Sequence, residues 1–401
     1  MTAIAKPKKR GAPLLLLISF YSFFTLGITP GLLNIAWTYI QETFNVSLDM
    51  LGVLLTAAVV GRLTTAFASG RVIGRFGLPS ALVASSLLII TGALGYMLAP
   101  TWELLLLSAV IASLGSGLID AGMNTYASSH FSTGQLNWLH SFFGLGLTIG
   151  PIIITFIVVN LGQSWRLGYG VLAAIALLLL IAILATFPRW RVQPPRDDDD
   201  SSPTDASMLA TLRVPAVLLG MLLFFIYAGV EVGAGQLSNT LFLESWNVNQ
   251  ETAAFWISFY WGSFTIGRMI VGTFADRVSN VFLMRLCMAG AVVGASLLWL
   301  RPSDLLGFMG LALLGFSLAP MFAVLISETP RRVGRAHTAN AVGFQIGFAG
   351  LGAGLLPGLA GVLATQLGLE FIGLFIVINT VLTLLLHEFL LLRDRRQKIS
   401  A

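Results

Sequence analysis

Long apolar stretches alternate with short polar ones along almost the whole chain. Each apolar stretch has about 20 residues, the length that an α-helix needs to cross the hydrocarbon core of a bilayer. Segments of ten alternating residues, which mark a membrane β-barrel, do not occur. The pattern therefore predicts an all-α polytopic membrane protein with twelve transmembrane helices, called spans 1 to 12. They lie at residues 14–40, 50–73, 79–99, 103–127, 136–160, 166–187, 214–240, 252–274, 280–300, 304–326, 336–364 and 369–391.

Composition places these stretches in lipid and not in a soluble core. The chain has 401 residues, 56% of them hydrophobic and 10% charged, with a mean hydropathy of +0.86. Soluble domains carry about 25% charged residues, and no soluble fold buries this much apolar surface in one core. The single cysteine, Cys287, excludes an internal disulfide and a CxxC metal site. The net charge of +5 follows the membrane topology, so we expect no nucleic-acid partner.

The basic residues predict the orientation of the chain. With the N-terminus in the cytoplasm, nearly all loop Lys and Arg lie on that side, as the positive-inside rule requires. The first apolar run has no small-residue cleavage site, which indicates a retained helix and not a signal peptide. We expect an integral protein of the inner or plasma membrane with both termini cytoplasmic. The cytoplasmic side then holds Lys6, Lys8, Lys9, Arg10, Arg71, Arg75, Arg189, Arg191, Arg196, Arg277, Arg331, Arg332, Arg335, Arg393, Arg395, Arg396 and Lys398, and the opposite loops hold Arg166 and Arg301.

One long polar stretch, RWRVQPPRDDDDSSPTDAS at 189–207, divides the chain into two halves that repeat. ETFNV (42–46) recurs as ESWNV (244–248), VGR (60–62) as IGR (266–268), and GLGLTIGP (144–151) as GLGAGLLP (350–357). The offsets of these three pairs are 202 to 206 residues. We expect six-helix bundles at 1–188 and 213–401, a cytoplasmic linker at 189–212, and a pathway between pseudo-symmetric halves.

Two loop sequences and one helical motif carry a resemblance to a known family. GRVIGRFG (70–77), with Arg71 and Arg75, and GTFADRV (272–278), with Asp276 and Arg277, resemble the loop motif of the major facilitator superfamily. The first copy has glycine where that motif has an acid. GSGLIDAGMN (115–124) and LNWLHSFFGLG (136–146) resemble the fucose-permease-like branch and its sodium–glucose transporter relatives. The resemblance implies sugar transport by alternating access, although span 1 holds no carboxylate in TLGITPGLLN (25–34).

An acid inside span 4 is the first candidate for ion coupling. Asp120 and Asn124 lie one helical turn apart among apolar and small residues, where a charge costs at least about 2.5–3.5 kcal/mol. Asp120 either binds the coupling ion or forms a structural ion pair, with Arg62 of span 2 as the partner at similar depth. His140 in span 5 either relays a proton or binds a hydroxylated ligand, or is a plain hydrogen-bonded histidine near a helix end.

A second acid with aromatic neighbours is the candidate sugar site. Glu231 in span 7 shares a helical face with Tyr227, and Tyr260 and Trp256 lie in span 8. Acids and amides hydrogen-bond sugar hydroxyls while aromatic rings pack on the sugar's C–H face. The alternative is that the aromatic residues form an interfacial belt. The predicted substrate-binding residues are Asn34, Asn124, Tyr227, Glu231, Gln236, Trp256, Tyr260 and Gln345.

The repeated arginines Arg62 and Arg268 suggest a shared structural task in closing a cytoplasmic gate, together with the loop residues Arg71, Arg75, Asp276 and Arg277. Ligand contact is the alternative for both repeated arginines. The prolines, Pro320 in span 10 among them, permit bending and close packing.

Missing motifs exclude other function classes. The chain has no GxxxxGK[ST] nucleotide loop and no Ser-His-Asp or metal-ligand spacing, so we predict neither ATP-driven transport nor an enzyme. The leading prediction is a monomeric secondary transporter of a sugar or a similar polyhydroxylated solute. It would use no cofactor beyond a coupling H⁺ or Na⁺, acting through Asp120, Glu231 or His140. The alternative is a proton-coupled exporter of amphipathic drugs or metabolites, which the fold hosts equally well.

Overall fold

The computed structural model describes residues 13–47, 50–190 and 206–400, and within these ranges the chain is helical and contains no strand. The helices are α1 (Pro13–Phe44), α2 (Met50–Phe76), α3 (Leu78–Leu98), α4 (Trp102–His130), α5 (Thr133–Thr155), α6 (Arg166–Ala185), α7 (Met208–Leu212), α8 (Pro215–Thr240), α9 (Gln250–Phe274), α10 (Asn280–Leu300), α11 (Asp304–Leu318), α12 (Met321–Val333), α13 (Arg335–Leu367) and α14 (Phe371–Ser400). Single π-helical turns extend α5 over Phe156–Asn160 and α8 over Leu241–Ser245.

The described helices match the predicted spans. Eleven stretches are long and apolar enough to cross a membrane, and α9 stands at the place of span 8. Span 10 is one stretch in the sequence pattern but two helices in the structure, because α11 ends at Leu318 and α12 begins at Met321. Pro320 between them lacks the N–H that would continue the helix, which fits the bend that the sequence predicts there.

The predicted linker ends in a short helix. Residues 208–212, which follow the polar stretch within the predicted linker at 189–212, form the helix α7. The acidic run at 197–200 lies outside the described residues, as do the basic residues of the N-terminal MTAIAKPKKR and most of the linker. Our predictions for these segments, including the cytoplasmic termini, stay predictions.

Contacts divide the chain into two compact units. Unit 1 comprises residues 1–132, 138–208 and 335–343, and unit 2 comprises residues 133–137, 209–334 and 344–401. In unit 1, α4 packs against α2 and α3, and α3 packs against α6. Tyr96 and Tyr169 stack at 4.4 Å between ring centroids inside this core.

Unit 2 has its own packing pattern. There α10 lies against α11 and α14, α9 against α11, and α8 against α14. A cluster of large rings joins α8, α9 and α11, with Phe308 in contact with Phe242, Trp246 and Trp256. Cys287 is buried in α10.

Two of the sequence repeats have a direct structural cause. Asn45 and Asn247, the asparagines of ETFNV and ESWNV, both adopt the left-handed conformation, with φ of 48° and 52°. Asparagine tolerates this conformation better than most residues, so the same turn requires it twice. Gly146 and Gly352 of the third repeat each lie against a backbone carbonyl, that of Phe24 in unit 1 and that of Phe225 in unit 2, and a Cβ at either glycine would overlap with it.

Candidate functional site

Asp120 lies on the buried face of α4 and forms an ion pair with Arg62 of α2. The Arg62 Nη2 donates to Asp120 Oδ2 at 2.5 Å. The Arg62 side chain is 47% exposed and that of Asp120 is 7% exposed. The predicted pairing is therefore present, and its negative member is buried while its positive member reaches the surface of the unit.

Asn124 completes this cluster from the next helical turn. Its Nδ2 donates to the Asp120 Oδ1 at 2.8 Å and to the Asp120 backbone carbonyl at 3.0 Å. Both carboxylate oxygens of Asp120 therefore accept a hydrogen bond. The Asn124 Oδ1 is fully buried and has no hydrogen-bond partner among the described residues, so it is a free acceptor beside the carboxylate.

Small residues bring α2 and α4 close enough for this pair to form. Gly117, one turn before Asp120, lies against the backbone carbonyl of Arg62, and Gly61 lies against that of Val110. Thr65 Oγ1 also donates to the Leu114 carbonyl at 2.8 Å. Gly117 of GSGLIDAGMN and Gly61 of α2 thus allow the close contact that positions Arg62 opposite the acid.

His140 is buried in α5, and its ring meets Phe23 of α1 edge-on at 5.0 Å between centroids. This aromatic contact fixes the ring in the interior of unit 1. Its predicted role in proton relay or ligand binding stays a prediction.

In unit 2, Glu231 of α8 lies among Tyr227, Tyr260 and Arg268. The Tyr227 hydroxyl, one helical turn before Glu231, donates to the backbone carbonyl of Leu318 at 3.3 Å, and Arg268 Nε donates to the neighbouring Ala319 carbonyl at 3.2 Å. The Tyr260 hydroxyl donates to the backbone carbonyl of Glu231 at 2.7 Å. The structure therefore brings together the predicted acid and two of its predicted aromatic partners, and adds the repeat arginine.

The other predicted ligand residues of unit 2 lie apart from this group or have their own partners. Trp256 stacks on Phe308 at 5.1 Å, and Gln236 is exposed on α8. Gln345 is buried in α13, where its Oε1 accepts from the Thr329 hydroxyl at 2.9 Å. In unit 1, Asn34 lies in α1, and its side chain is outside the described part of the structure.

The two loop motifs differ in their contacts. Arg71 and Arg75 are exposed at the end of α2, with Arg75 over the ring of Phe76 at 5.5 Å. In unit 2, Asp276 Oδ1 accepts from the backbone N–H of Gly134 at 3.0 Å. Arg277 is exposed in the same 3₁₀ turn. The acid that only the second motif copy retains therefore has a defined partner at the first turn of α5.

A polar network in unit 2 was missed by the sequence analysis. Glu328 near the end of α12 accepts from Asn280 Nδ2 at 2.6 Å and pairs with Arg331. The next residue, Arg332, lies 3.4 Å from Asp394 of α14, measured from Nε to Oδ2. The run SETPRR at 327–332 was the available signal, because five of its six residues are polar or charged and it ends an apolar span.

Comparison with known proteins agrees with this architecture. The family model described as "Major Facilitator Superfamily" matches residues 15–349 and 243–400. The glucose/mannose transporter GlcP of Bacillus subtilis is 22% identical over 320 residues, which is 78% of each chain. A putative glucose/galactose transporter of Helicobacter pylori is 24% identical over 74% of this chain and 76% of its own. The arabinose-proton symporter of Escherichia coli is 25% identical over 42% of this chain and 37% of its own.

Solved structures show the same fold. The FucP transporter in its outward conformation superposes with a TM-score of 0.79 at 17% identity, over 94% of this chain and 98% of that one. The human organic anion transporter MFSD10 gives 0.73 at 16% identity, over 94% of this chain and all of that one.

Proposed function

Because the chain belongs to the Major Facilitator Superfamily, a family of membrane transporters, we propose that it imports a sugar or a similar polyhydroxylated solute by secondary active transport. The relatives described as glucose/mannose, glucose/galactose and arabinose-proton transporters support this substrate class. The protein acts as an integral membrane protein of the inner or plasma membrane, as a monomer with both termini in the cytoplasm.

The observation that carries the proposal is the buried carboxylate of Asp120 with its exposed counter-ion. A transporter driven by an ion gradient needs an intramembrane group that gains and loses a charge during the cycle. Arg62 is the member of the pair that has room to move, because its side chain is already 47% exposed. Asp120 would then be a buried and unpaired charge, which is unfavourable until a cation neutralises it.

Among cations, a proton fits this cluster better than sodium. Both oxygens of Asp120 accept hydrogen bonds from Arg62 and Asn124, so a sodium ion would have to displace Arg62 and collect further oxygen ligands. A proton needs one oxygen only, and it neutralises the acid while Asn124 remains in place. We therefore propose H⁺ as the coupling ion and exchange between Arg62 and the proton as the coupling step.

The group around Glu231 is the proposed sugar-binding element of unit 2. Its carboxylate accepts hydrogen bonds, as sugar hydroxyls require, and the rings of Tyr227 and Tyr260 lie beside it. Both tyrosine hydroxyls already donate to protein groups. Their contribution to binding is therefore the apolar ring face and the orientation of Glu231.

Uptake into proteoliposomes tests the function. The purified protein is reconstituted, and a proton gradient and a sodium gradient are imposed separately while labelled hexoses, pentoses and deoxyhexoses are offered. We expect one sugar class to accumulate with the proton gradient alone. Accumulation with sodium alone would contradict the coupling step. Gradient-driven extrusion of amphipathic cations or anions without sugar uptake would favour an exporter instead.

A further inference from the structure

An apolar groove lies where α2 ends and α3 begins. It has a volume of about 330 Å³, and its lining consists of Val72 and Phe76 of α2 and Ser80, Ala81 and Ala84 of α3. Both helices are long and apolar enough to cross a membrane. A groove at their joined ends therefore lies at the boundary between the hydrocarbon core and the lipid headgroups.

Two arginines border this groove without an acidic partner. Arg71 and Arg75 lie one turn apart at the end of α2 and are exposed, and neither forms an ion pair among the described residues. The Arg75 guanidinium lies over the ring of Phe76, which is itself part of the lining, at 5.5 Å from the ring centroid. Gly74 stands where the second copy of the loop motif holds Asp276. The positive charge at this end of α2 is therefore uncompensated.

The first turn of α3 adds to the same positive field. Its N-cap is Gly77, with a φ of 79° that favours glycine, and no side chain caps the helix there. The first N–H groups of a helix have no partner within it, and together with the helix dipole they attract anions. Ser80 places a hydroxyl group in the lining at this end. Two guanidinium groups, a helix N-terminus and a hydroxyl thus stand beside apolar side chains.

We propose that this groove binds an anionic phospholipid from the leaflet that we predict to be cytoplasmic. The headgroup phosphate pairs with Arg71 and Arg75 at the N-terminus of α3, and an acyl chain lies against Val72, Phe76 and Ala84. Arginine forms bidentate hydrogen bonds with phosphate, and basic residues at the cytoplasmic surface attract anionic lipids. A free phosphate ion would use the charged part of the site only and would leave its apolar lining uncovered.

The corresponding end of α9 in unit 2 provides the comparison. There Asp276 precedes Arg277 in the chain, and its Oδ1 accepts from the backbone N–H of Gly134 at 3.0 Å. A carboxylate beside the arginine lowers the attraction for an anionic headgroup. We therefore assign the lipid to the motif copy that lacks its acid. This assignment goes beyond solute transport and does not depend on which solute is carried.

Native mass spectrometry of the detergent-solubilised protein measures lipid binding without any solute. Phosphatidylglycerol and phosphatidylcholine with identical acyl chains are titrated separately, and inorganic phosphate is added as a competitor. We expect the first phosphatidylglycerol to bind about tenfold or more tightly than phosphatidylcholine, because only its headgroup carries a net negative charge. Equal affinities for the two lipids, or displacement of phosphatidylglycerol by inorganic phosphate at the same concentration as the lipid, would overturn the proposal.

Variants test whether the lipid occupies this groove. The double variant Arg71→Gln with Arg75→Gln should bind phosphatidylglycerol about 30-fold more weakly. Ala84→Trp fills the apolar part without changing a charge and should also weaken binding, whereas Arg277→Gln should bind as wild type does. Wild-type affinity in the double variant or in Ala84→Trp, or an equal loss in Arg277→Gln, would contradict the assignment.

A restored acid provides a second test that keeps both arginines. Gly74→Asp places a carboxylate beside Arg75 and three residues after Arg71, as in the second motif copy. Affinity for phosphatidylglycerol should fall about fivefold, since one of the two positive charges is compensated. Should the double arginine variant fail to fold, Gly74→Asp carries the test: a selective loss of phosphatidylglycerol affinity supports the site, and unchanged affinity overturns it.

Discussion

Arg62 and Asp120 form an ion pair whose two members differ in burial, because the arginine side chain is 47% exposed and the aspartate side chain is 7% exposed. Removing either partner therefore has different consequences. Without Asp120, the guanidinium remains on the exposed side of the contact and is not enclosed by the unit. Without Arg62, the carboxylate stays buried among small and apolar residues of α4, where an uncompensated charge is expensive.

We accordingly predict an asymmetric effect on stability. Arg62→Gln should lower the free energy of unfolding by about 3 kcal/mol, the usual cost of stranding a buried charge, while Asp120→Asn should cost clearly less. The double variant should recover most of the loss. Thermal and denaturant unfolding in detergent give the free energy of unfolding of the three proteins. Equal losses in the two single variants would contradict the prediction that the buried carboxylate depends more on the ion pair than the exposed guanidinium does.

The transport prediction concerns the same acid. Asp120→Asn keeps the size of the side chain and one hydrogen-bonding oxygen but removes titration. The variant should bind and exchange solute nearly as well as wild type, and it should fail to accumulate solute against a gradient. Counterflow and gradient-driven uptake in the same proteoliposomes separate the two activities. A stable Asp120→Asn protein that still concentrates solute would transfer the coupling role to Glu231.

Contacts that are local or repeated along the chain could be predicted from the sequence. The i, i+4 spacing of Asp120 and Asn124 is enough to predict their contact on a helix, and the rarity of intramembrane charges pointed to Arg62 as the partner. The repeated asparagines and glycines could be recognised as a duplication. Their causes, a left-handed turn at Asn45 and Asn247 and close helix contacts at Gly146 and Gly352, became visible only with the backbone.

Gly352 and Gly354 of α13 form a matched pair for testing close helix packing. A Cβ at Gly352 would overlap with the carbonyl of Phe225, whereas nothing lies within 4 Å of a Cβ at Gly354. Gly352→Ala should therefore destabilise the protein by about 1–3 kcal/mol. Gly354→Ala should be neutral or add about 0.5–1 kcal/mol, because alanine loses less backbone entropy in a helix. Unfolding midpoints of both variants check this, and similar values for the two would argue against the contact.

Two ion pairs of unit 2 should differ in strength because they differ in burial. Arg332 is 8% exposed and lies beside Asp394, whereas Arg285, 47% exposed, pairs with Glu388 through two nitrogens. Arg332→Met should cost about 3 kcal/mol or more, and Arg285→Met should cost clearly less. The smaller effect should also fade in high salt, since exposed pairs are screened. A salt-insensitive loss in Arg285→Met would contradict this ranking.

Glu231→Gln tests the proposed sugar site. An amide offers one acceptor oxygen in place of two, so binding should weaken by at least about 1 kcal/mol if a solute hydroxyl donates to the carboxylate. Isothermal titration with the transported sugar measures the change, and Glu244→Gln, in the π-helical turn that extends the same helix, serves as the matched control. Unchanged affinity in a folded Glu231→Gln protein would exclude direct contact between solute and acid.

Tertiary packing explains what sequence reasoning missed. Pro320 indicates a bend, but the side chains that donate hydrogen bonds to the carbonyls beside it belong to Tyr227 and Arg268. These residues are 91 and 51 positions away from their acceptors in the sequence. The contact between Glu328 and Asn280 likewise joins side chains 48 residues apart. Within a span, every polar residue stands among similar apolar neighbours. Periodicity therefore identifies a face of a helix, but the partner across that face depends on how the helices are arranged.

The burial of Cys287 has a practical consequence for spectroscopy. The only sulfhydryl of the native chain is shielded inside α10, so maleimide dyes and nitroxide labels should leave it unmodified in the folded protein. A cysteine introduced at an exposed position would then be the one that reacts. Fluorescence and electron-spin measurements of the working cycle can therefore start from the unaltered sequence, without first building a cysteine-free background.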